Sequence, residues 1–259
     1  MLIFVEFCGI ISRVIIFFGV SCLFRFKDKL LAIPFPDTCI VCGNPVETTE
    51  YACSRCKNKI PYISTAFKCK TCLGFLHSEE NGVCGSCLIE KPQYSRLISC
   101  VSYESYVQKT IKAFKFWNRP DYHLGYSKLA CEILERDGLC FDAVIPIPLS
   151  KKSLKKRGYN QSALISKRIA MYFDVPYYDD VLLKIKETKR QSELKLEYRK
   201  KNIKGAFGVF NPERLSGLNI LLVDDIFTSG NTMREASKIL SPYTKSITAF
   251  TVARAKFKY

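Results

Sequence analysis

Acidic residues are scarce in this chain. Asp and Glu total 24 against 40 Lys and Arg, leaving a formal charge of +16 across 259 residues. An excess of that size points to a polyanionic partner: phosphate esters, nucleic acid or an anionic membrane face. Histidine occurs only twice, and no cysteine stands with a His and an Asp or Asn in a nucleophile pattern, which speaks against cysteine catalysis. No internal repeat is present beyond one doubled cysteine segment. Hydrophobic and charged shares of 47% and 25% are those of a folded globular protein, which excludes disorder as the main state. A convincing secretory leader is also missing, because such a leader begins with positive charge. The expected location is therefore cytoplasmic, with contact at the inner face of the membrane left open, and a disulfide framework is not expected.

Cysteine, by contrast, is abundant. Eight of the 13 form four Cys-x-x-Cys pairs: Cys39/Cys42, Cys53/Cys56, Cys69/Cys72 and Cys84/Cys87. Two such pairs across a short hairpin make one tetrahedral thiolate site, so four pairs imply two structural zinc ions. Gly43 and Gly85 supply small residues where backbone amides fold round the sulfurs. Pairing by sequence neighbours is the preferred arrangement, with an interleaved cross-brace left open. His77 is a spare ligand expected at the surface. Cys8, Cys22, Cys100, Cys131 and Cys140 read as small buried hydrophobes.

Three regions follow. Residues 1–30 begin with an apolar run in which Glu6 and Arg13 are seven apart, on one helical face, as in a helix packed on protein or lying in a membrane interface through residues 1–24. Residues 34–90 form a double zinc ribbon. Residues 95–259 alternate between strand and helix patterns: strands at 97–103, 141–148, 218–223 and 246–253, helices at 106–116, 124–134, 154–173 and 232–240. The basic stretch 184–204 reads as a mobile loop. This alternation predicts an α/β domain with a mainly parallel sheet and helices on both faces.

The segment Ile220–Thr232 carries the chemistry. An apolar strand delivers Asp224 and Asp225, and a turn of small residues then opens a helix, the place where α/β folds bind ligands. Hydroxyls and amides of Thr228, Ser229, Gly230, Asn231 and Thr232 suit a phosphate at the helix amino end. The two carboxylates suit vicinal hydroxyls, so a ribose 5-phosphate fits both ends.

This segment resembles the phosphoribosyl diphosphate (PRPP) motif of type I phosphoribosyltransferases. The whole chain from about residue 30 to residue 255 resembles the ComF family of late competence proteins, in which a double zinc ribbon precedes a phosphoribosyltransferase-like domain. The family's Pro-x-Pro-Leu and Arg-Gly-Tyr-Asn-Gln stand here as Pro146, Pro148, Leu149 and Arg157, Gly158, Tyr159, Asn160, Gln161. Its later pattern is met by Gln191, Leu194, Arg199, Asn202, Gly205, Ala206 and Phe207, and its Lys-aromatic pair by Lys115 and Phe116.

The resemblance implies a type I phosphoribosyltransferase-like fold that binds PRPP with Mg2+. Asp224 and Asp225 would hold the ribose, Thr228 to Thr232 the 5-phosphate, and Ser150, Lys151 and Lys152 would approach the diphosphate, assisted by Arg157. The acceptor is left unassigned. It also implies a role in DNA uptake alongside DNA-uptake or helicase proteins. Single-stranded DNA would run over Lys115, Trp117, Lys155, Lys156, Lys189 and Arg190. The alternative reading is a non-catalytic DNA-binding competence factor that uses the sugar-phosphate site as a sensor. Metal analysis of freshly purified, reduced protein is expected to find two zinc ions per chain; a value near zero would remove the ribbon reading.

Overall fold

The computed structural model describes residues 37–64, 66–76, 82–188 and 202–255. The helix expected over 1–30, Cys8, Cys22, His77, Lys189, Arg190 and most of the loop expected at 184–204 lie outside the described residues.

Four parallel strands form the centre, in the order β3 (Leu97–Ser102), β8 (Ser246–Arg254), β7 (Asn219–Phe227), β4 (Ala143–Pro146). Ile220 to Val223 and Ala249 to Phe250 are buried throughout. A parallel strand covered on both faces reads as such a continuous apolar run. One face is covered by α3 (Ser105–Phe116), α4 (Tyr122–Arg136) and α6 (Gln161–Phe173), whose Phe114, Tyr126, Leu129 and Ile165 meet Leu221, Val223 and Phe250. The other face carries α7 (Asn231–Leu240) and the antiparallel pair β5 (Leu182–Lys184) and β6 (Phe207–Val209), with Met233, Ala236 and Phe207 against Ile220 and Leu222.

The cysteine module straddles the sheet. Its first half holds β1 (Asp37–Thr38), β2 (Pro45–Val46) and the helical turn α1 (Ser54–Lys57), and packs with the α3/α4/α6 face; its second half, with α2 (Gly85–Ile89), packs with the α7 face. Between them Pro61 to Ile63 runs antiparallel to the free edge of β3. The Ile63 N–H donates to the Cys100 carbonyl (3.1 Å) and the Ser102 N–H to the Pro61 carbonyl (2.8 Å). A sheet edge that would otherwise offer unpaired amides is thus covered from within the chain.

Three sequence expectations change. The helix expected at 154–173 is two helices, α5 (Lys151–Arg157) and α6, because Gly158 turns left-handed (φ 84°) and Asn160 caps the next helix by accepting the Ser162 N–H. The strand expected to end at Val223 continues to Phe227, so both aspartates lie within β7. Cys140 is exposed, in a turn outside either core cluster, whereas Cys100 and Cys131 are buried as expected. No helix among the described residues is long and apolar enough to cross a membrane.

The first half of the module seats on α4 at Gly125, where a Cβ would lie 2.6 Å from Ile40 Cγ2 and 3.1 Å from the Thr38 carbonyl. Beside it the buried Asp37 carboxylate accepts from the Lys128 ammonium. Gly125→Val is expected to lower the unfolding free energy by about 1–3 kcal/mol, the usual cost of overfilling a packed contact. Urea denaturation checks this as a lower midpoint with unchanged slope.

Candidate functional site

Each cysteine quartet is assembled by two local devices. In the first, the Gly43 N–H donates to the Cys39 carbonyl with Gly43 at φ 77°, and in the second the Leu73 N–H donates to the Cys69 carbonyl. The later Cys-x-x-Cys of each quartet then opens a helical turn, α1 or α2. The sulfurs of Cys39, Cys42, Cys53 and Cys56 lie within 4.8 Å of one another, and so do those of Cys69, Cys72, Cys84 and Cys87. Pairing is sequential, which rules out the interleaved arrangement. Four soft sulfur donors at this spacing fit tetrahedral zinc. In the second quartet the Cys72 thiol is pulled down to about 5, first by the hydrogen bond from Cys87 and against its burial, with the Arg254 charge adding.

The second candidate site sits at the carboxyl end of β7. Asp225 Oδ1 pairs with Lys115 Nζ at 2.7 Å, both side chains largely buried. Asp224 Oδ1 accepts from Ser162 Oγ (2.9 Å) and from the Asp225 N–H (2.8 Å). Burial first, and the neighbouring Asp225 charge second, push the Asp224 carboxyl up to about 7, although Lys115, the amide and Ser162 favour its ionised form. The chain then turns at Gly230 (φ 77°) into α7. A Cβ on Gly230 would lie 2.5 Å from the Phe227 ring, so the turn presses directly on that side chain. Ser229 Oγ is buried with no hydrogen-bond partner among the described residues. An unsatisfied hydroxyl beside the amino end of a ten-residue helix fits an oxyanion.

The Arg157–Gln161 segment proves architectural. Tyr159 Oη (2.5 Å) and Gln161 Nε2 (3.1 Å) both donate to the Phe114 carbonyl near the end of α3, and Asn160 Nδ2 donates to the Ile147 carbonyl (3.0 Å). These bonds satisfy a helix-end acceptor and hold the turn that carries Lys115. Lys115, expected on a nucleic-acid surface, is instead the counter-ion of Asp225. Arg157 donates to Gln161 Oε1 (2.5 Å) and lies 5.3 Å over the Phe116 ring. Ser150 is buried and caps α5 by accepting the Ser153 N–H, while Lys151, Lys152, Lys155 and Lys156 are exposed. Trp117 and Phe116 are 59% and 52% exposed, and Phe116 meets the basic helix through Arg157. Ser162, Arg234 and Arg254 were not singled out from sequence; Ser162 alone had a local signal, two residues after a capping Asn.

A parallel α/β domain with two adjacent carboxylates entering a glycine-opened helix, joined to two four-cysteine centres, defines the class of protein. Residues 30–88 match the double zinc ribbon domain family. The chain is 28% identical over 209 residues to competence protein F of Haemophilus influenzae, spanning 78% of this chain and 90% of that protein. It is 26% identical to competence protein ComFC of Bacillus subtilis, spanning 80% and 85%. These relatives bear out the resemblance to the ComF family. A solved adenine phosphoribosyltransferase of Saccharomyces cerevisiae superposes on 53% of this chain and 71% of its own, at 15% identity and a TM-score of 0.35.

Asp224 keeps its proton to about pH 7 when folded, whereas an unfolded Asp loses it near pH 4. The folded state binds more protons between those values, so this group's stabilisation is complete below about pH 4 and lost as pH rises through 7. Asn retains the oxygen that accepts both local bonds. Asp224→Asn is therefore expected to leave the melting temperature unchanged near pH 4 and to raise it by on the order of 5 °C at pH 8; thermal unfolding across that range checks it.

Proposed function

We propose that this protein binds PRPP, or a closely related ribose phosphate, together with Mg2+, and acts in the handling of DNA during uptake. The observation that carries the reading is the run from Asp224 to Asn231: two carboxylates side by side, then a left-handed glycine and a helix amino end with a buried, unsatisfied serine hydroxyl. Carboxylates accept hydrogen bonds from vicinal ribose hydroxyls, and the Thr228–Thr232 turn supplies hydroxyl and amide donors to a 5-phosphate. Ser150, Lys151 and Lys152 open α5 beyond β4, the neighbour of β7, and together with Arg157 suit the diphosphate. Lys115 holds Asp225 in place and offsets its charge before ligand arrives. Bound Mg2+ would supply positive charge to diphosphate and ribose oxygens. The chain's own part is to orient the ribose and to stabilise charge at fixed positions. The link to DNA uptake is supported by relatives named for competence.

A second reading is favoured by a separate observation. Arg157 lies 5.3 Å over the ring of Phe116, on a helix whose Lys155 and Lys156 are exposed, and the exposed Trp117 follows Phe116 in the chain, a combination suited to single-stranded nucleic acid. Calorimetric titration separates the two. Wild type is expected to bind PRPP with Mg2+, and Asp225→Asn to weaken that binding at least about 10-fold, a loss on the order of one charge-assisted hydrogen bond. Folded wild type that ignores PRPP but binds an oligonucleotide in a salt-steep manner, with the binding lost in Lys155→Glu/Lys156→Glu, would put the DNA surface first.

A further inference from the structure

The second cysteine quartet and the phosphate-binding turn touch one another, although the chain order alone does not bring them together. A small cavity between them is lined by Cys72, Cys84, Phe227, Ser229, Arg234 and Arg254. Two arginines span it. Arg234, in the first turns of α7, donates through Nη2 to Cys87 Sγ (3.3 Å) and through Nη1 to the Glu90 carbonyl. Arg254, at the end of β8 and 5% exposed, donates through Nε to the Cys72 carbonyl (2.7 Å) and through Nη1 to the Ala255 carbonyl (2.7 Å). Its guanidinium lies 5.5 Å over the Phe227 ring, the ring on which Gly230 rests. Gly74, within the same quartet, keeps this approach close: a Cβ there would be 3.3 Å from Cys72 Sγ and 3.5 Å from Arg254 Nη2.

We propose that the second cysteine centre is the footing of the phosphate turn, with Arg234 and Arg254 as positioning residues that make the shape of the turn depend on the closed quartet. Two of the four ligand-bearing residues receive an arginine donor, one at its sulfur and one at its carbonyl. Donors to ligand residues orient them and are oriented by them. A metal that fixes Cys72 and Cys87 therefore fixes both guanidiniums, and through them the start of α7 and the Phe227 ring under Gly230. If the quartet opens, each arginine loses the acceptor it finds on a ligand residue and keeps one backbone carbonyl, of Glu90 or of Ala255, so the turn loses part of its support on two sides. The first quartet is seated on α4 against the opposite face and has no such connection among the described contacts. The consequence for ligand rests on the sugar-phosphate reading above; the mechanical link does not.

Hydrogen exchange at the amides of residues 227–232 in the full chain tests the link without needing a ligand. Arg234→Gln is expected to keep two zinc ions by metal analysis and yet speed exchange there about 10-fold, within the range of couplings between linked sites. Extraction of zinc from wild type is expected to speed the same amides at least as much. Cys42→Ser/Cys53→Ser, which loses the first ion only, is expected to leave them unchanged. Unaltered exchange after both Arg234→Gln and zinc extraction would overturn the proposal, as would equal acceleration in the first-quartet variant, which would mark general loosening. Should Arg234→Gln fail to fold, extraction compared with the first-quartet variant decides alone. By reciprocity, PRPP with Mg2+ is expected to raise the affinity for one of the two zinc ions in equilibrium competition with a chelator. A wild type that does not bind PRPP would remove the sugar-phosphate reading and leave the exchange result to judge the footing.

Discussion

Two carboxylates next to each other in a largely buried strand repel, and neither is free to relax into water. Everything near the end of β7 is arranged to tolerate that repulsion. Asp225 is held by the Lys115 ammonium, whereas Asp224 accepts from a hydroxyl and an amide, feels Lys115 without pairing with it, and answers burial by keeping its proton to about pH 7. Lys115 can serve only if the last turn of α3 is fixed. That is the work of Tyr159 and Gln161, whose side chains converge on one carbonyl of that turn. An arrangement this costly to stability persists where function requires it.

The thiolate module solves a different difficulty. A four-stranded parallel sheet has two edges, and β3 is one of them. Pro61 to Ile63 covers it, but three residues give few hydrogen bonds, too few to hold a strand by themselves. The two quartets stand at either end of this strap, one packed on each face of the sheet. Cross-linking by metal at both ends confines the strap, so its pairing with β3 is close to intramolecular closure of a short loop. The doubling of the ribbon thus has a mechanical reason: one quartet would anchor the strap at one end only.

Much of this was readable in advance because its signals are local. Continuous apolar runs gave away β7 and β8, and Cys-x-x-Cys spacing gave away the eight ligand cysteines, whereas their sequential pairing, preferred from the sequence with an interleaved one left open, came from the positions of the sulfurs. The small-residue turn that opens α7 was visible in the run Thr228 to Thr232. Other features were hidden for physical reasons. Helical periodicity carries across Gly158, so α5 and α6 merged into one, since a single glycine breaks a helix only where its left-handed conformation is used. The strand was cut at Val223 because charged residues are rare in buried strands, and the aspartates are admitted only by a lysine 110 positions earlier in the chain. Arg234 and Arg254 meet cysteine residues 147 and 182 positions away, and nothing in a linear pattern marks such partners.

Charge sign separates the two surfaces of this protein. A groove evolved only to hold DNA phosphates gains nothing from Asp224 and Asp225, because each carboxylate repels the polyanion it would meet. Conversely, a ribose phosphate leaves the exposed Trp117 and the lysines at 155 and 156 unused. The acid pair lies at the sheet's carboxyl rim, while Phe116 and Trp117 close α3 immediately after Lys115. One short turn therefore ends with its ammonium on Asp225 and with two exposed rings, of which Phe116 lies under Arg157 of the basic helix. A displacement of that turn would alter both surfaces at once, since the Asp225 ion pair and the Phe116 ring under Arg157 are carried by adjacent residues.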